Sequence, residues 1–347
     1  MHPSMAQVLS QCEETRPGGW WTEGAGGSFP VSLRRLAFGV QIVVTAALLV
    51  LLFRKFNWAS FQSTFSRTPL WFYLASFGVL VAGQALYVFK WGLVLGAIGL
   101  RVPFWSRAEQ YLLGIFFNNF LPTMIGGDAA RVYYLGRQEG YATVATSILV
   151  DRSLGFLSMA LSGTVLVWWL NITTPAFIVA RQVLTILCAI LLACLAAALT
   201  FRLAPLVVLL RRVPLLGRVA ETLELVRKRG RPLRRDPSVI LAVLVASFLY
   251  FLPFGWAYQT YFRLSGGIAV PYEGVLLALI AIAILSNIPI SVNGIGLREQ
   301  LHYLLFGSLG VSKELAVGIS VIVFSQFVIL SAFGGLVWLR FRARARP

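Results

Sequence analysis

The sequence predicts an all-α polytopic membrane protein with six full transmembrane helices and two re-entrant helical hairpins in an inverted repeat. Three observations predict it. Of the 347 residues, 58% are hydrophobic and 12% charged, about half the charge of an ordinary soluble domain. Apolar runs recur at close to the ~20 residues that a helix needs to cross a ~30 Å hydrocarbon core. Two further apolar segments are broken in mid-course by Asn, Pro and Gly, and they match each other in order.

Residues 1–30 are polar and Gly-rich, with no apolar stretch leading to a cleavage site, so they read as a disordered tail rather than a signal peptide. A single transmembrane domain is expected over 31–340, and residues 341–347 form a short cytoplasmic tail. Its six spans fall on Leu36–Phe53, Leu70–Phe89, Ser147–Leu170, Ile178–Ala198, Val239–Tyr261 and Leu315–Leu339. Trp168 and Trp169 end one span and Trp20 and Trp21 precede another, the placement of interfacial aromatics. Cys188 and Cys194 share one span and Cys12 lies in the tail, so no disulfide framework is expected.

The two interrupted segments are Glu109–Tyr134, EQYLLGIFFNNFLPTMIGGDAARVYY, and Glu273–Leu304, EGVLLALIAIAILSNIPISVNGIGLREQLHYLL. Pro and Gly at membrane depth free backbone groups, which only protein or a watery cavity can satisfy. Both segments therefore read as hairpins, with breaks at Pro122, Gly126 and Gly127 and at Pro289, Gly294 and Gly296. At an offset of 168 positions Val102 answers Val270, Pro103 answers Pro271 and Asn119 answers Asn287. After a slip of one, Pro122 answers Pro289, Gly127 answers Gly294 and Arg131 answers Arg298. The first repeat then covers about 33–170 and the second about 178–340, the organisation of many transporters.

A net charge of +17 would suit nucleic acid. The densest basic stretch, within 202–237, instead lies between two apolar spans and reads as a cytoplasmic loop. With both termini cytoplasmic, most of the 30 Lys and Arg residues fall inside, leaving Arg54, Lys55, Arg67, Arg181, Arg263, Arg298 and Lys313 outside. That asymmetry fits the inner (plasma) membrane, with the hairpins entering from opposite sides. Nucleic acid is not an expected partner.

Only 13 acidic residues exist, so their positions inform. Asp128 and Arg131 are three apart beyond Gly126–Gly127, on one helix face, where Asp128 could cap the first turn. Asp151 and Arg152 open the next span, and Arg298 and Glu299 follow Gly296. Charges at membrane depth face a cavity or a partner. They read either as structural ion pairs or as a polar site holding an anionic headgroup, since the guanidinium fork bonds two phosphate oxygens. Free N–H groups of Gly126, Gly127, Gly294 and Gly296 would add to that site. Asn119, Asn287 and Asn293 could supply neutral contacts, although asparagines at a helix break commonly satisfy backbone. Lys90 reads as an interfacial snorkelling residue. Gln84 lies in the same span, and Gln326 could line a cavity or bond a neighbouring helix. His302 has no histidine partner, so neither metal nor cofactor is expected, and no Gly-rich nucleotide loop is present.

The stretch PTMIGGDAARVYYLGRQEGYATVATSILVDRSLGFLSM and the later IPISVNGIGLREQLHYLLF resemble the transmembrane domain of lysylphosphatidylglycerol synthases, a family of flippase-like integral membrane proteins. The resemblance spans most of 33–340 and implies translocation of a lipid between leaflets. It carries over to Asp128, Arg131, Asp151, Arg152, Arg298 and Glu299. The soluble aminoacyl-transfer domain of fused members has no counterpart before Pro347, so lysyl transfer is not expected and the chain reads as a transporter rather than an enzyme. Membrane lipids are the expected partners. Two competing readings are a non-catalytic partner of lipid or cell-envelope synthesis enzymes and a membrane-embedded lipid-linked transferase. The transferase is disfavoured because the loop Arg54–Pro69 has no Asp or Glu.

Overall fold

The computed structural model describes residues 31–53, 57–120, 126–199, 236–288 and 290–344, and within them every regular element is helical. The tail 1–30, nearly all of the basic loop, and the break residues Pro122 and Pro289 lie outside the described residues. In chain order the helices are α1 (Val31–Phe53), α2 (Trp58–Arg67), α3 (Leu70–Ala97), α4 (Phe104–Phe120), α5 (Gly126–Glu139) and α6 (Tyr141–Leu170). They continue as α7 (Pro175–Leu199), α8 (Pro237–Leu249), α9 (Phe251–Gly266), α10 (Tyr272–Leu285), α11 (Leu297–Gly307) and α12 (Lys313–Arg344).

Among the described residues, five helical stretches are long and apolar enough to cross a membrane: α3, α6, α7, the α8–α9 pair over Pro237–Gly266, and α12. Tyr250 keeps right-handed helical dihedrals between α8 and α9, so the pair forms one rod. The first expected span lies within α1, of which Gly39–Leu52 is a shorter apolar helix. Several spans run longer than their apolar cores predicted. Asp151 and Arg152, expected at the mouth of a span, lie almost three turns inside α6.

α4 and α10 have 17 and 14 residues, and α5 and α11 have 14 and 11. At 1.5 Å per residue each is shorter than the ~30 Å hydrocarbon thickness. α10 is nonetheless the centre of the protein. From Gly274 to Ile284 nearly every residue is buried, and a helix apolar on all sides belongs inside a bundle. α7 is the opposite case, with Val179, Ile186 and Ile190 more than half exposed, as on a surface that lipid covers.

Among the described residues, four helices of the first half have counterparts in the same order in the second. α3, α4, α5 and α6 begin 167, 168, 171 and 172 positions before α8, α10, α11 and α12. Packing is exchanged between them: α12 lies along α4, and α6 lies along α10. Glycine permits both approaches. A Cβ at Gly334 would fall 2.0 Å from the carbonyl oxygen of Leu112, and one at Gly163 would fall 3.0 Å from Ile280 Cγ2. Polar contacts reinforce the exchange. Gln326 of α12 donates from Nε2 to the carbonyl of Tyr73 at 3.0 Å and to Ser76 Oγ at 2.7 Å, both on α3. It therefore bonds a neighbouring helix rather than lining a cavity.

Candidate functional site

Both breaks are held by their neighbours. In the first, α5 starts against α4 because neither Gly114 nor Gly127 has a side chain: a Cβ at Gly127 would fall 2.1 Å from the Gly114 carbonyl oxygen. The Gly127 N–H donates to Asn118 Oδ1 at 2.8 Å. In the second, Ser286–Gly296 includes a 3₁₀ turn at Val292–Gly294. There Asn293, Gly294 and Gly296 take φ values of 51°, 73° and 79°, the left-handed region that Gly and Asn tolerate best. Val292 N–H donates to Thr45 Oγ1 of α1 at 2.9 Å, and Gly296 N–H donates to Glu299 Oε2 at 2.8 Å.

Between the breaks lies a cavity of about 430 Å³ with walls from both halves. Asp128 and Arg131 reach it from α5, Asp151 and Arg152 from α6, Asn287 from the break after α10, and Arg298 from α11. These six side chains, picked out in sequence as charges or asparagines in apolar surroundings, line one space. Lys90 also lines it, which corrects the snorkelling assignment. It is 3% exposed, and its Nζ lies 3.2 Å from Asp151 Oδ1. A lysine this deep requires a carboxylate, because an unpaired buried charge costs several kcal/mol.

Asp128 joins the remaining first-half cations. Its Oδ1 accepts from Arg131 Nη1 at 3.3 Å, and its Oδ2 is paired with Arg152 Nε. The expected cap on α5 gives way to this double pairing. Arg131 is 5% exposed and its guanidinium lies over the rings of Trp91 and Tyr111, with Cζ 4.2 Å and 4.0 Å from their centroids. Such cation–π contacts contribute about 2 kcal/mol when desolvated. Trp91 is itself fixed by donating from Nε1 to Ser147 Oγ at 3.1 Å. Nε and Nη2 of Arg131 are buried without a hydrogen-bond acceptor among the described residues, and so is the hydroxyl of Ser286, also on the cavity wall.

Among the described residues, four cations against two carboxylates give the cavity wall a surplus of positive charge. Glu299, 6% exposed, is absent from that wall. It accepts from Arg298 and from the Gly296 N–H, and so closes the start of α11. The glycine amides expected to face a ligand are partly engaged within the fold, since those of Gly127 and Gly296 have protein acceptors. Asn119 and Asn293 also lie off the cavity. Asn119 Nδ2 donates to the Phe327 carbonyl at 3.5 Å, and Asn293 Nδ2 to the Asn119 carbonyl at 3.3 Å. The first reaches a carbonyl inside α12, and the second satisfies backbone freed at the end of α4. Asn287 also bonds backbone, donating to the Ala283 carbonyl at 2.7 Å.

Sequence reasoning missed Tyr87, Tyr111 and Tyr250 on the cavity wall. Tyr87 and Tyr250 stack with centroids 4.2 Å apart, and Lys90 Nζ lies 4.5 Å above Tyr87. Tyr250 comes from the α8–α9 junction, so the α3 site is completed by the other half. Among the described residues no three His, Cys, Asp or Glu side chains converge as a metal site would need.

The family model of the lysylphosphatidylglycerol synthase TM region matches residues 38–334. A UPF0104 membrane protein of Pyrococcus horikoshii is 27% identical over 323 residues, covering 82% of this chain and 92% of that protein. No solved structure matches the chain. The matched region runs from α1 into α12 and contains both breaks and every charged residue of the cavity: this is a multi-pass membrane protein that belongs to the family of the lysylphosphatidylglycerol synthase transmembrane region.

Proposed function

We propose that the protein is a lipid flippase or transporter that moves an anionic phospholipid or lipid-linked headgroup between membrane leaflets. One observation carries the reading. A cavity built jointly by the two halves has surplus positive charge, and Arg131 has two buried N–H-bearing atoms without acceptors among the described residues. In so low a dielectric an anion bonded there is held far more strongly than in water. The guanidinium fork of Arg131, with Arg298 across the cavity, suits phosphate oxygens. Asp128 and Asp151 hold Arg152 and Lys90 in place and keep the surplus modest enough for release.

In this reading the chain acts without chemistry on the lipid, as a carrier rather than an enzyme, in the inner membrane with both termini cytoplasmic. α4–α5 and α10–α11 are re-entrant hairpins that approach the cavity from opposite faces, and six full spans surround them. Their short arms and the exchanged packing of the halves support the inverted arrangement. The driving force is the lipid gradient or a coupled ion.

The test is reconstitution into liposomes with fluorescent phospholipids and lipid-linked sugars, comparing wild type with Arg131→Ala and Arg298→Ala. The reading expects one lipid class to cross faster than in protein-free vesicles and both variants to slow it. No acceleration of any lipid rejects transport for that panel. Acceleration untouched by both variants leaves the cavity without a role in transport, whereas a scaffold of lipid-synthesis enzymes would accelerate no lipid.

A further inference from the structure

The polar cavity has an apolar annex. A second chamber of about 150 Å³ shares Tyr250, Phe251, Ile282, Ala283 and Arg298 with it, so the two adjoin along one wall. The rest of the chamber is largely hydrocarbon and aromatic: Phe254 of α9, Leu279 of α10, and Val323, Phe324 and Phe327 of α12. Its polar groups are mostly turned on one another. His302 donates from Nδ1 to the Arg298 carbonyl at 2.8 Å, which leaves Nε2 of the neutral ring to accept from the Tyr258 hydroxyl at 3.1 Å. Ser320 contributes one hydroxyl.

Arg298 stands at the junction. Its guanidinium lies 4.3 Å above the Phe324 ring, bonds Glu299, and keeps 24% of its side-chain surface exposed. A water-soluble anion has no use for an aromatic annex behind its cation, whereas an amphiphile needs both. Resting on the transport reading, we propose that the annex holds part of one hydrocarbon chain of the lipid whose headgroup occupies the polar cavity, with the phosphate at Arg298. The annex then discriminates lipids by what lies next to the phosphate.

The experiment uses the full chain in phosphatidylcholine nanodiscs containing phosphatidylglycerol with a diazirine a few carbons from the ester of one acyl chain. After photolysis, adducts are mapped by mass spectrometry. The proposal expects adducts on Leu279, Val323 and Phe327 beside those on outward residues such as Val328 and Leu336, and loss of the chamber adducts in Ser320→Leu, which narrows the annex. Wild-type adducts confined to the outward residues overturn it without recourse to any variant. Millimolar glycerol 3-phosphate, a headgroup without chains, should leave the chamber adducts in place. If it abolishes them, a soluble phosphate ester is the ligand and the chain-holding role is wrong. Labelling requires no translocation. A protein that labels but moves no lipid loses the transport reading and keeps the annex, and one that moves lipid without labelling does the reverse.

Discussion

Asn293 donates its side-chain amide to the backbone carbonyl of Asn119 at 3.3 Å, so two helix breaks 174 residues apart in the chain touch directly. The contact joins the end of α4 to the 3₁₀ turn before α11, beside the cavity that both halves line. Asn293 has a second role, since its φ of 51° is one that few side chains accept.

The two roles separate by substitution. Asn293→Gly keeps the backbone and removes the amide, for an expected loss of about 1 kcal/mol. Asn293→Ala adds roughly another 1 kcal/mol of left-handed strain. Thermal unfolding in detergent, followed by tryptophan fluorescence, should rank wild type above Gly and Gly above Ala. Equal losses would mean that the turn relaxes its dihedral.

Lys90 and Asp151 form a buried pair, and removing either partner alone strands a charge. Lys90→Met and Asp151→Leu should each destabilise by about 3–5 kcal/mol, and the double variant should recover most of that. Transport should stay impaired in the double variant despite restored stability, because the wall loses both charges. A stable double variant with full transport would reduce the pair to a structural device.

Arg131→Lys preserves charge and removes the planar fork stacked on Trp91 and Tyr111. Losing a charge-assisted hydrogen bond of about 1.5–3 kcal/mol should slow lipid movement by about tenfold or more. Trp91→Leu, which frees the guanidinium without touching its charge, should slow it in the same direction. Rates are read by dithionite quenching of fluorescent lipids in liposomes.

Much of this site was legible in the sequence, and what was missed has physical reasons. Asp128, Arg131, Asp151, Arg152 and Arg298 stood out because charge is rare in an apolar chain. Lys90 did not, because its partner is 61 residues away and a lysine near a span end resembles an interfacial anchor. The internal match pointed to Asn119, yet its neighbour Asn118 holds the start of α5 and lines the cavity. One helical residue is a 100° turn, finer than an offset between repeats resolves. The aromatic cage of Arg131 had no local pattern, since Trp91 and Tyr111 belong to different helices. The fold was plainer: length and apolarity marked the spans, while the exchanged packing of α12 and α6 depends on contacts that no run of residues announces.

Glycine contrasts give a further prediction. Gly127→Ala places a methyl 2.1 Å from the Gly114 carbonyl oxygen and should destabilise by about 3 kcal/mol or more. Gly96→Ala meets nothing within 4 Å inside a helix and should stabilise by about 0.5–1 kcal/mol. Yields of folded protein on size-exclusion chromatography should diverge accordingly.

The membrane arrangement of the hairpins is tested by single cysteines at Pro122 and Pro289 in a background with Cys12, Cys188 and Cys194 replaced by serine. A membrane-impermeant maleimide should reach one position only from outside right-side-out vesicles and the other only from outside inverted ones. Labelling of both from one side would rule out opposed entry.

Because α12 rests on α4 and α6 rests on α10, each half of the chain lends a helix to the other. Neither can be inherited, evolved or repaired alone: a change that thickens α4 is answered on α12, near the far end of the gene. A cut between the halves would expose both interiors.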